Sequence, residues 1–164
     1  MSDKPSHVLF LCTGNSARSI MAEVMLNHLG GGRVTAHSAG SHPTGTVHPL
    51  AIETLQSMGL PVDGLRSKSW EEFARPDAPP LDVIVTVCDD AVGEVCPIWP
   101  GKPMTAHWGV EDPAAFQGTE DEQRAKFREV ALMLRQRFER LLSLPLATLD
   151  RMTVQAKLKE IGQE

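Results

Sequence analysis

The stretch His7-Val-Leu-Phe-Leu-Cys12-Thr-Gly-Asn-Ser-Ala-Arg18-Ser19 decides the fold of this chain. It begins with an unbroken apolar run, which is typical of a buried strand. Apolar residues at helical spacing follow from Ser19 to Leu29, and Gly30-Gly-Gly32 ends that pattern. The stretch therefore predicts a strand, a tight loop and a helix, with the loop running from Cys12 to Arg18.

The loop has the form C-x5-R-S, and each of its parts suits a tetrahedral oxyanion. Small residues let successive backbone N–H groups point into one concavity, and the following helix adds its positive N-terminal end. Arg18 supplies a planar pair of donors for two oxygens. The residues that we expect to bind the substrate are Thr13, Gly14, Asn15, Ser16, Ala17 and Arg18.

The same surroundings favour a thiolate at Cys12, the expected nucleophile. A free cysteine titrates near pH 8.5, whereas thiols in sites of this kind titrate at roughly 3.5–7.5. Ser19 is placed to donate a further hydrogen bond to the sulfur. The alternative is an ordinary turn that merely contains Cys and Arg, because C-x5-R alone is a weak pattern. Its position between an apolar strand and a helix favours the catalytic interpretation.

Strands and helices alternate along the rest of the chain, which predicts an α/β fold with a mostly parallel sheet. Ser69-Trp-Glu-Glu72 is read as a capping box that opens a short helix, and Thr119-Glu-Asp-Glu122 caps a long one whose buried stripe would be Phe127, Val130, Ala131, Leu134, Phe138 and Leu141. Further strands are predicted at 33–38, 81–87 and 103–108, with 39–40 as a turn. Further helices are predicted at 49–58 and about 149–161.

The length, charge and composition of the chain exclude several classes of function. The chain has 164 residues and a net charge of -5, so we expect one domain and no nucleic-acid partner, which would need a basic stripe. No apolar run approaches the roughly 18 residues of a membrane span, and the N-terminus has no apolar signal region. We therefore expect a cytoplasmic protein without a membrane partner. Three cysteines without a signal region argue against a structural disulfide framework.

Cys12-x5-Arg18-Ser19, followed by Met21-Ala-Glu23, resembles the low-molecular-weight protein tyrosine phosphatases. Within that fold the chain looks most like the bacterial arsenate reductases. The further segments that carry the resemblance are Ser38-Ala-Gly40, Thr86-Val-Cys88, Cys96-Pro97, His107-Trp-Gly109, Asp112-Pro113 and Gln117-Gly-Thr119. The resemblance implies a three-layer αβα fold with a four-stranded parallel sheet, in one domain over 1–164. Its core would cover about 7–142, and a helical extension about 147–162.

Cys88 ends the second strong strand, as Cys12 ends the first. If the two strands are parallel, both cysteines lie at the edge of the sheet where ligands bind. Cys96 follows after a soft, Gly-containing segment. The alternatives are two buried thiols or a zinc site, although no second Cys pair or His-x3–5-His accompanies them.

Asp112-Pro113 also has two interpretations. Asp and Pro are the usual first residues of a helix, whereas the resemblance makes Asp112 the general acid that protonates the leaving oxygen. The tyrosine phosphatases usually place aromatic residues after Asp-Pro. This chain has Ala114-Ala115 and no tyrosine, so an aryl phosphate would find little to stack on.

The resemblance implies arsenate reduction for arsenic detoxification. Cys12 would attack arsenic, Cys88 would attack Cys12, and Cys96 would then attack Cys88, leaving a disulfide for thioredoxin, or for glutaredoxin and glutathione, to reduce. No metal or other cofactor is expected. The main rival is a phosphotyrosine or small phosphomonoester phosphatase, which gives Cys88 and Cys96 no role. A second rival is a redox-sensing or phosphate-binding module without turnover.

Some relatives hold a potassium ion beside the loop, at positions matched here by Asn15, Glu23 and Ser38, together with an aspartate. Lys68 stands where that aspartate would be. We expect the Lys68 ammonium to supply the positive charge and to pair with Glu23. The alternative is that Lys68 points into solvent, as most lysines do.

Overall fold

Four parallel strands form the centre of the molecule. A computed structural model describes residues 6–12, 14–32, 34–78, 81–87, 104–110, 113, 116–143 and 151–162. The strands are β1 (Ser6–Cys12), β2 (Val34–Gly40), β3 (Val83–Thr86) and β4 (Met104–His107). They form one sheet in the order β2-β1-β3-β4, and every neighbouring pair is parallel. The predicted α/β fold with a four-stranded parallel sheet is confirmed.

Strand β1 lies inside the sheet and pairs with both β2 and β3. This position explains its continuous apolar sequence, because a strand covered on both faces has no polar side to present. Leu9, Phe10 and Leu11 are fully buried. Since all four strands run the same way, their carboxyl ends meet at one edge, and Cys12 lies at that edge beside its register partner Gly40.

Helices flank the sheet, and buried residues of each belong to the same apolar core as Val8 and Phe10 of β1. The helices are α1 (Arg18–Leu29), α2 (Pro49–Ser57), α3 (Glu120–Leu142) and α4 (Arg151–Gly162). The six apolar residues predicted to face the core from α3 are all buried. The predicted cap is confirmed too, since Thr119 and Glu122 exchange side-chain to backbone hydrogen bonds of 3.2 Å. Gly59, at φ 75°, lies just beyond the end of α2. Trp70 and Phe73 contribute to a smaller apolar cluster with Leu9 and Leu11.

Two local predictions are wrong. The predicted turn at 39–40 is the end of β2, because this strand continues until Gly40 pairs with Cys12. The short helix predicted after Ser69 is present as the 3-10 helix Trp70–Phe73, but the predicted capping box is wrong, because the Ser69 hydroxyl accepts from the Glu71 amide at 3.2 Å. Glu72 is not free to complete the box, since its carboxylate binds Arg66 at 2.6 Å.

The other boundaries move by one or two residues: the strand expected at 81–87 is Val83–Thr86, and the last helix is Arg151–Gly162. Among the described residues, no helix combines the length and the apolar character needed to cross a bilayer. The division of the chain into one domain stays a prediction.

Candidate active site

The loop that carries Cys12 connects the end of β1 to the start of α1. Cys12 is the last residue of β1 and is 3% exposed, and Arg18 is the first residue of α1. The predicted strand–loop–helix unit is therefore present. The sulfur lies where the carboxyl edge of the sheet and the N-terminus of a 12-residue helix meet, and that helix end favours negative charge.

Asn15 and Ser19 form hydrogen bonds with the Cys12 sulfur. The backbone N–H of Asn15 donates to the sulfur at 3.2 Å, and the Ser19 hydroxyl oxygen lies 2.9 Å from it. The side-chain amide of Asn15 donates to that hydroxyl oxygen at 2.8 Å. Asn15 and Ser19 are fully buried, so these contacts are shielded from competing water. The arrangement favours a charged sulfur over a protonated one.

Carbonyl groups of the loop point away from the sulfur. The Gly14 carbonyl accepts from the Thr44 amide at 3.0 Å, and the Ser16 carbonyl accepts from the His48 amide at 2.8 Å. In a trans peptide the C=O and the following N–H point in opposite directions. The N–H groups of Asn15 and Ala17 are therefore turned to the inner side of the loop, as the sequence predicts for an oxyanion cradle.

A left-handed backbone at Asn15 produces this turn. Its φ is 47°, an uncommon value for a residue other than glycine, and asparagine tolerates it better than most. The Asn15 side chain is fixed at both ends, because its carbonyl oxygen accepts from the Lys68 amide at 2.8 Å while its amino group donates to Ser19. The loop conformation is thus held by contacts within the protein.

Arg18 is half-buried, and its guanidinium donates to the carbonyl oxygen of Val110 at 3.3 Å. Val110 follows β4 and is tied to the sheet edge by its own amide, which donates to the Val87 carbonyl at 3.0 Å. The guanidinium is therefore anchored to the neighbouring loop by one of its nitrogens. A guanidinium carries five N–H donors in a planar fork, which suits the oxygens of an oxyanion.

Behind the loop, Lys68 lies in a charged cluster with Glu23 and Ser38. Its ammonium is 3.6 Å from the Glu23 carboxylate and 3.4 Å from the Ser38 hydroxyl, which itself donates to Glu23 at 2.7 Å. Only 9% of the Lys68 side chain is exposed. The predicted pairing with Glu23 is confirmed, and the alternative of a solvent-directed lysine is wrong. Asn15 joins this cluster through the Lys68 amide and not through the ammonium.

Four of the predicted site residues lie outside the described residues: Thr13, Cys88, Cys96 and Asp112. Of the described ones, the structure brings together Cys12, Gly14, Asn15, Ser16, Ala17, Arg18 and Ser19. Their roles in binding and catalysis stay predictions.

Arg137 is not among the predicted site residues, although it is 6% exposed and binds the backbone beside the site. The position of Arg137 in the sequence of α3 could have identified it. Arg137 stands three residues after Leu134 and four before Leu141, so a charged residue occupies the stripe that faces the core.

The chain is similar in sequence to known proteins. The family model described as low molecular weight phosphotyrosine protein phosphatase matches residues 7–157. Arsenate reductases from Halalkalibacterium halodurans and Bacillus subtilis are each 37% identical to the chain over 123 residues, which is 75% of this chain and 85% of each relative.

Solved structures show the same likeness. An arsenate reductase in the phosphate binding state has a TM-score of 0.66 at 31% identity, covering 84% of this chain and 97% of that one. The thioredoxin-dependent arsenate reductase of Corynebacterium glutamicum has a TM-score of 0.56 at 25% identity, covering 85% of this chain and 64% of that one.

Proposed function

This chain belongs to the low molecular weight phosphotyrosine protein phosphatase family, and within it we propose that the chain is a thioredoxin-coupled arsenate reductase that serves arsenic detoxification. One observation carries the chemistry: the Cys12 sulfur receives the Asn15 N–H at 3.2 Å and lies 2.9 Å from the Ser19 hydroxyl. These contacts stabilise a thiolate, which is the nucleophilic form of cysteine. The names of the relatives support arsenate as its target.

In the first step the Cys12 thiolate attacks arsenic while Arg18 binds the oxygens of arsenate. A Cys12–arsenic bond forms, and one arsenic–oxygen bond breaks. Asp112 protonates the departing oxygen, which leaves as water. The oxidation state of arsenic does not change in this step, which has the same form as phosphoryl transfer to a thiolate.

Reduction follows when the Cys88 thiolate attacks the Cys12 sulfur. The sulfur–arsenic bond breaks, its electron pair stays on arsenic, and arsenite leaves with two electrons more than arsenate had. A Cys12–Cys88 disulfide remains. Cys96 then attacks Cys88 and releases the Cys12 thiolate, so the oxidising equivalent ends in a Cys88–Cys96 disulfide. Thioredoxin reduces that disulfide by exchange, as the name of the Corynebacterium glutamicum neighbour suggests.

A phosphatase is the second candidate, because Cys12, Arg18 and Asp112 suffice for phosphomonoester hydrolysis and the family name describes that activity. Phosphomonoester hydrolysis gives Cys88 and Cys96 no role. The absence of tyrosine and the Ala114-Ala115 pair after Asp112-Pro113 also leave little to hold an aryl ring. Both sequence features favour the reductase.

The deciding experiment is arsenate-dependent NADPH consumption by the full chain with thioredoxin and thioredoxin reductase. A parallel arm replaces these proteins with glutaredoxin, glutathione and glutathione reductase. We expect turnover in the first arm and none with Cys12→Ser, since an alcohol is a far weaker nucleophile. Hydrolysis of an aryl phosphate without arsenate-dependent oxidation in either arm would establish the phosphatase instead.

A further inference from the structure

Arg137 is a buried charge that the proposed reaction does not use. It lies on the core-facing stripe of α3 and is 6% exposed. Its guanidinium donates to the carbonyl oxygen of Trp108 at 3.0 Å and to that of Gly109 at 3.2 Å. A charged donor makes a stronger hydrogen bond than a neutral one, so these two carbonyls are firmly held.

The segment held by Arg137 leads directly to the oxyanion loop. Val110 follows Gly109, and its carbonyl accepts the hydrogen bond from Arg18 at 3.3 Å. On the other side, the Trp108 amide donates to Thr86 at 2.7 Å. The backbone that anchors Arg18 is thus fixed from the sheet and from α3.

Helix α4 holds the same segment from a third direction. The indole N–H of Trp108 donates to the carbonyl oxygen of Leu158 at 2.8 Å, and the Trp108 ring is fully buried. Leu158 and Ile161 of α4 are buried in the main core. The C-terminal helix therefore belongs to the packing that surrounds the anchor of Arg18.

We propose that Arg137 is a positioning residue of the oxyanion site: by holding the carbonyls of Trp108 and Gly109, it places Val110 so that the Arg18 guanidinium faces the bound anion. The proposal rests on the proposed function only in that Arg18 binds an oxyanion. A purely structural Arg137 would affect stability alone, whereas a positioning Arg137 also affects the affinity of the folded protein for the anion.

The test is calorimetric titration of the reduced full chain with inorganic phosphate, at a temperature at which every variant is folded. We expect Arg137→Gln to raise the Kd about three- to tenfold, and Arg137→Lys to raise it about two- to threefold, because a lysine keeps the charge but carries it on a compact ammonium in place of the planar guanidinium whose one nitrogen binds both carbonyls. Arg135→Gln is the matched control. Arg135 is exposed on the same helix and binds Glu139, so its replacement should change the Kd by less than about twofold.

A second readout separates positioning from general damage to the loop. The pH midpoint of the ultraviolet absorbance of the Cys12 thiolate should be the same in Arg137→Gln and the parent, because Asn15 and Ser19 keep their contacts with the sulfur. A lowered thermal midpoint with an unchanged phosphate Kd would overturn the proposal. If Arg137→Gln does not fold, an unchanged Kd in Arg137→Lys overturns it. Failure of the parent to reduce arsenate, with phosphate binding intact, would refute the proposed function and leave this proposal standing.

Discussion

The hydroxyl oxygen of Ser19 lies 2.9 Å from the sulfur of Cys12. That oxygen also accepts a hydrogen bond from the side-chain amide of Asn15. Because Asn15 supplies a hydrogen to the oxygen, the hydrogen of the hydroxyl is available for the sulfur. The orientation of the Asn15 amide follows from its other end, where the carbonyl oxygen accepts from the Lys68 amide. Ser19 is therefore oriented as a donor to a thiolate.

Replacing Ser19 by alanine should raise the pH at which Cys12 becomes a thiolate and slow turnover about ten- to a hundredfold, because a hydrogen bond to a charged group is lost from a buried site. The rate of Cys12 alkylation as a function of pH measures the first effect. Ser57→Ala is the control, since the Ser57 hydroxyl donates to a carbonyl of its own helix, that of Thr54. An alkylation profile that does not move would show that the backbone N–H groups and the helix suffice.

Replacing Cys88 or Cys96 by serine should stop multiple turnover and spare hydrolysis of an activated aryl phosphate, which needs neither thiol. Cys88→Ser should retain arsenic on Cys12, and Cys96→Ser should stop after about one turnover with a Cys12–Cys88 disulfide. Intact-mass measurement and thiol counting distinguish these two states. Loss of aryl phosphate hydrolysis in either variant would indicate that the cysteine is structural.

Exchange of potassium for sodium at constant ionic strength should leave the thermal midpoint and the KM for arsenate essentially unchanged. The Lys68 ammonium lies 3.6 Å from Glu23 and already compensates its charge, so a metal ion there would meet a like charge. Thermal unfolding and steady-state kinetics in the two salts measure this. A potassium-specific rise in stability would disprove the substitution of the ion by Lys68.

The variant Lys68→Gln makes that test sharper. It removes the ammonium and leaves Glu23 with the Ser38 hydroxyl as its described hydrogen-bond partner. We expect Lys68→Gln to be less stable than the parent in sodium and to recover part of the loss in potassium. Lys157→Gln is a matched control, because Lys157 is half exposed on α4.

His37 should make the fold sensitive to acid. Burial, and then the charges of His7 and Lys68, lower the pKa of His37 from 6.5 to about 4. The unfolded chain therefore binds a proton more readily than the folded chain between those values. The stabilising contribution is complete above about pH 6.5 and is lost as the pH falls towards about 4.

Urea unfolding across this pH range measures the effect. His37→Gln should lose less stability on acidification than the parent, since it has no imidazole to protonate. His28→Gln should behave as the parent does, because His28 is exposed on α1. Equal losses in the parent and in His37→Gln would contradict the assignment.

Much of the fold follows from local patterns in the sequence. The apolar run of β1 requires burial on both faces, and the stripe from Phe127 to Leu141 requires a core-facing helix, so both were predictable. Residues 39–40 were not, because Ala39-Gly40 reads as a turn and becomes strand only through pairing with β1. Such a pairing joins segments that are far apart in the chain, so it cannot be predicted from the residues around positions 39–40 alone.

The candidate site also has a part that could be predicted from the sequence and a part that could not. The loop from Cys12 to Ser19 is one continuous segment, so the spacing of its residues was enough to predict it. The anchor of Arg18 is not contiguous: Val110, Arg137 and Leu158 reach it from three distant segments. The arginine in the apolar stripe of α3 was the one sequence feature that indicated this anchor. Its partners could not be predicted, because they are backbone carbonyls and every residue has one.

The left-handed backbone of Asn15 has a consequence for selectivity. Internal contacts fix this backbone, so the loop is ordered when the chain folds. Anion binding therefore does not incur a second loss of loop entropy. A ready-made loop of this kind recognises charge and tetrahedral shape, which phosphate and sulfate share with arsenate. Under the proposed function, discrimination therefore comes after binding, since only arsenic accepts an electron pair from two thiols. Phosphate then acts as a reversible competitor, and the rate of thioredoxin oxidation follows the ratio of arsenate to phosphate.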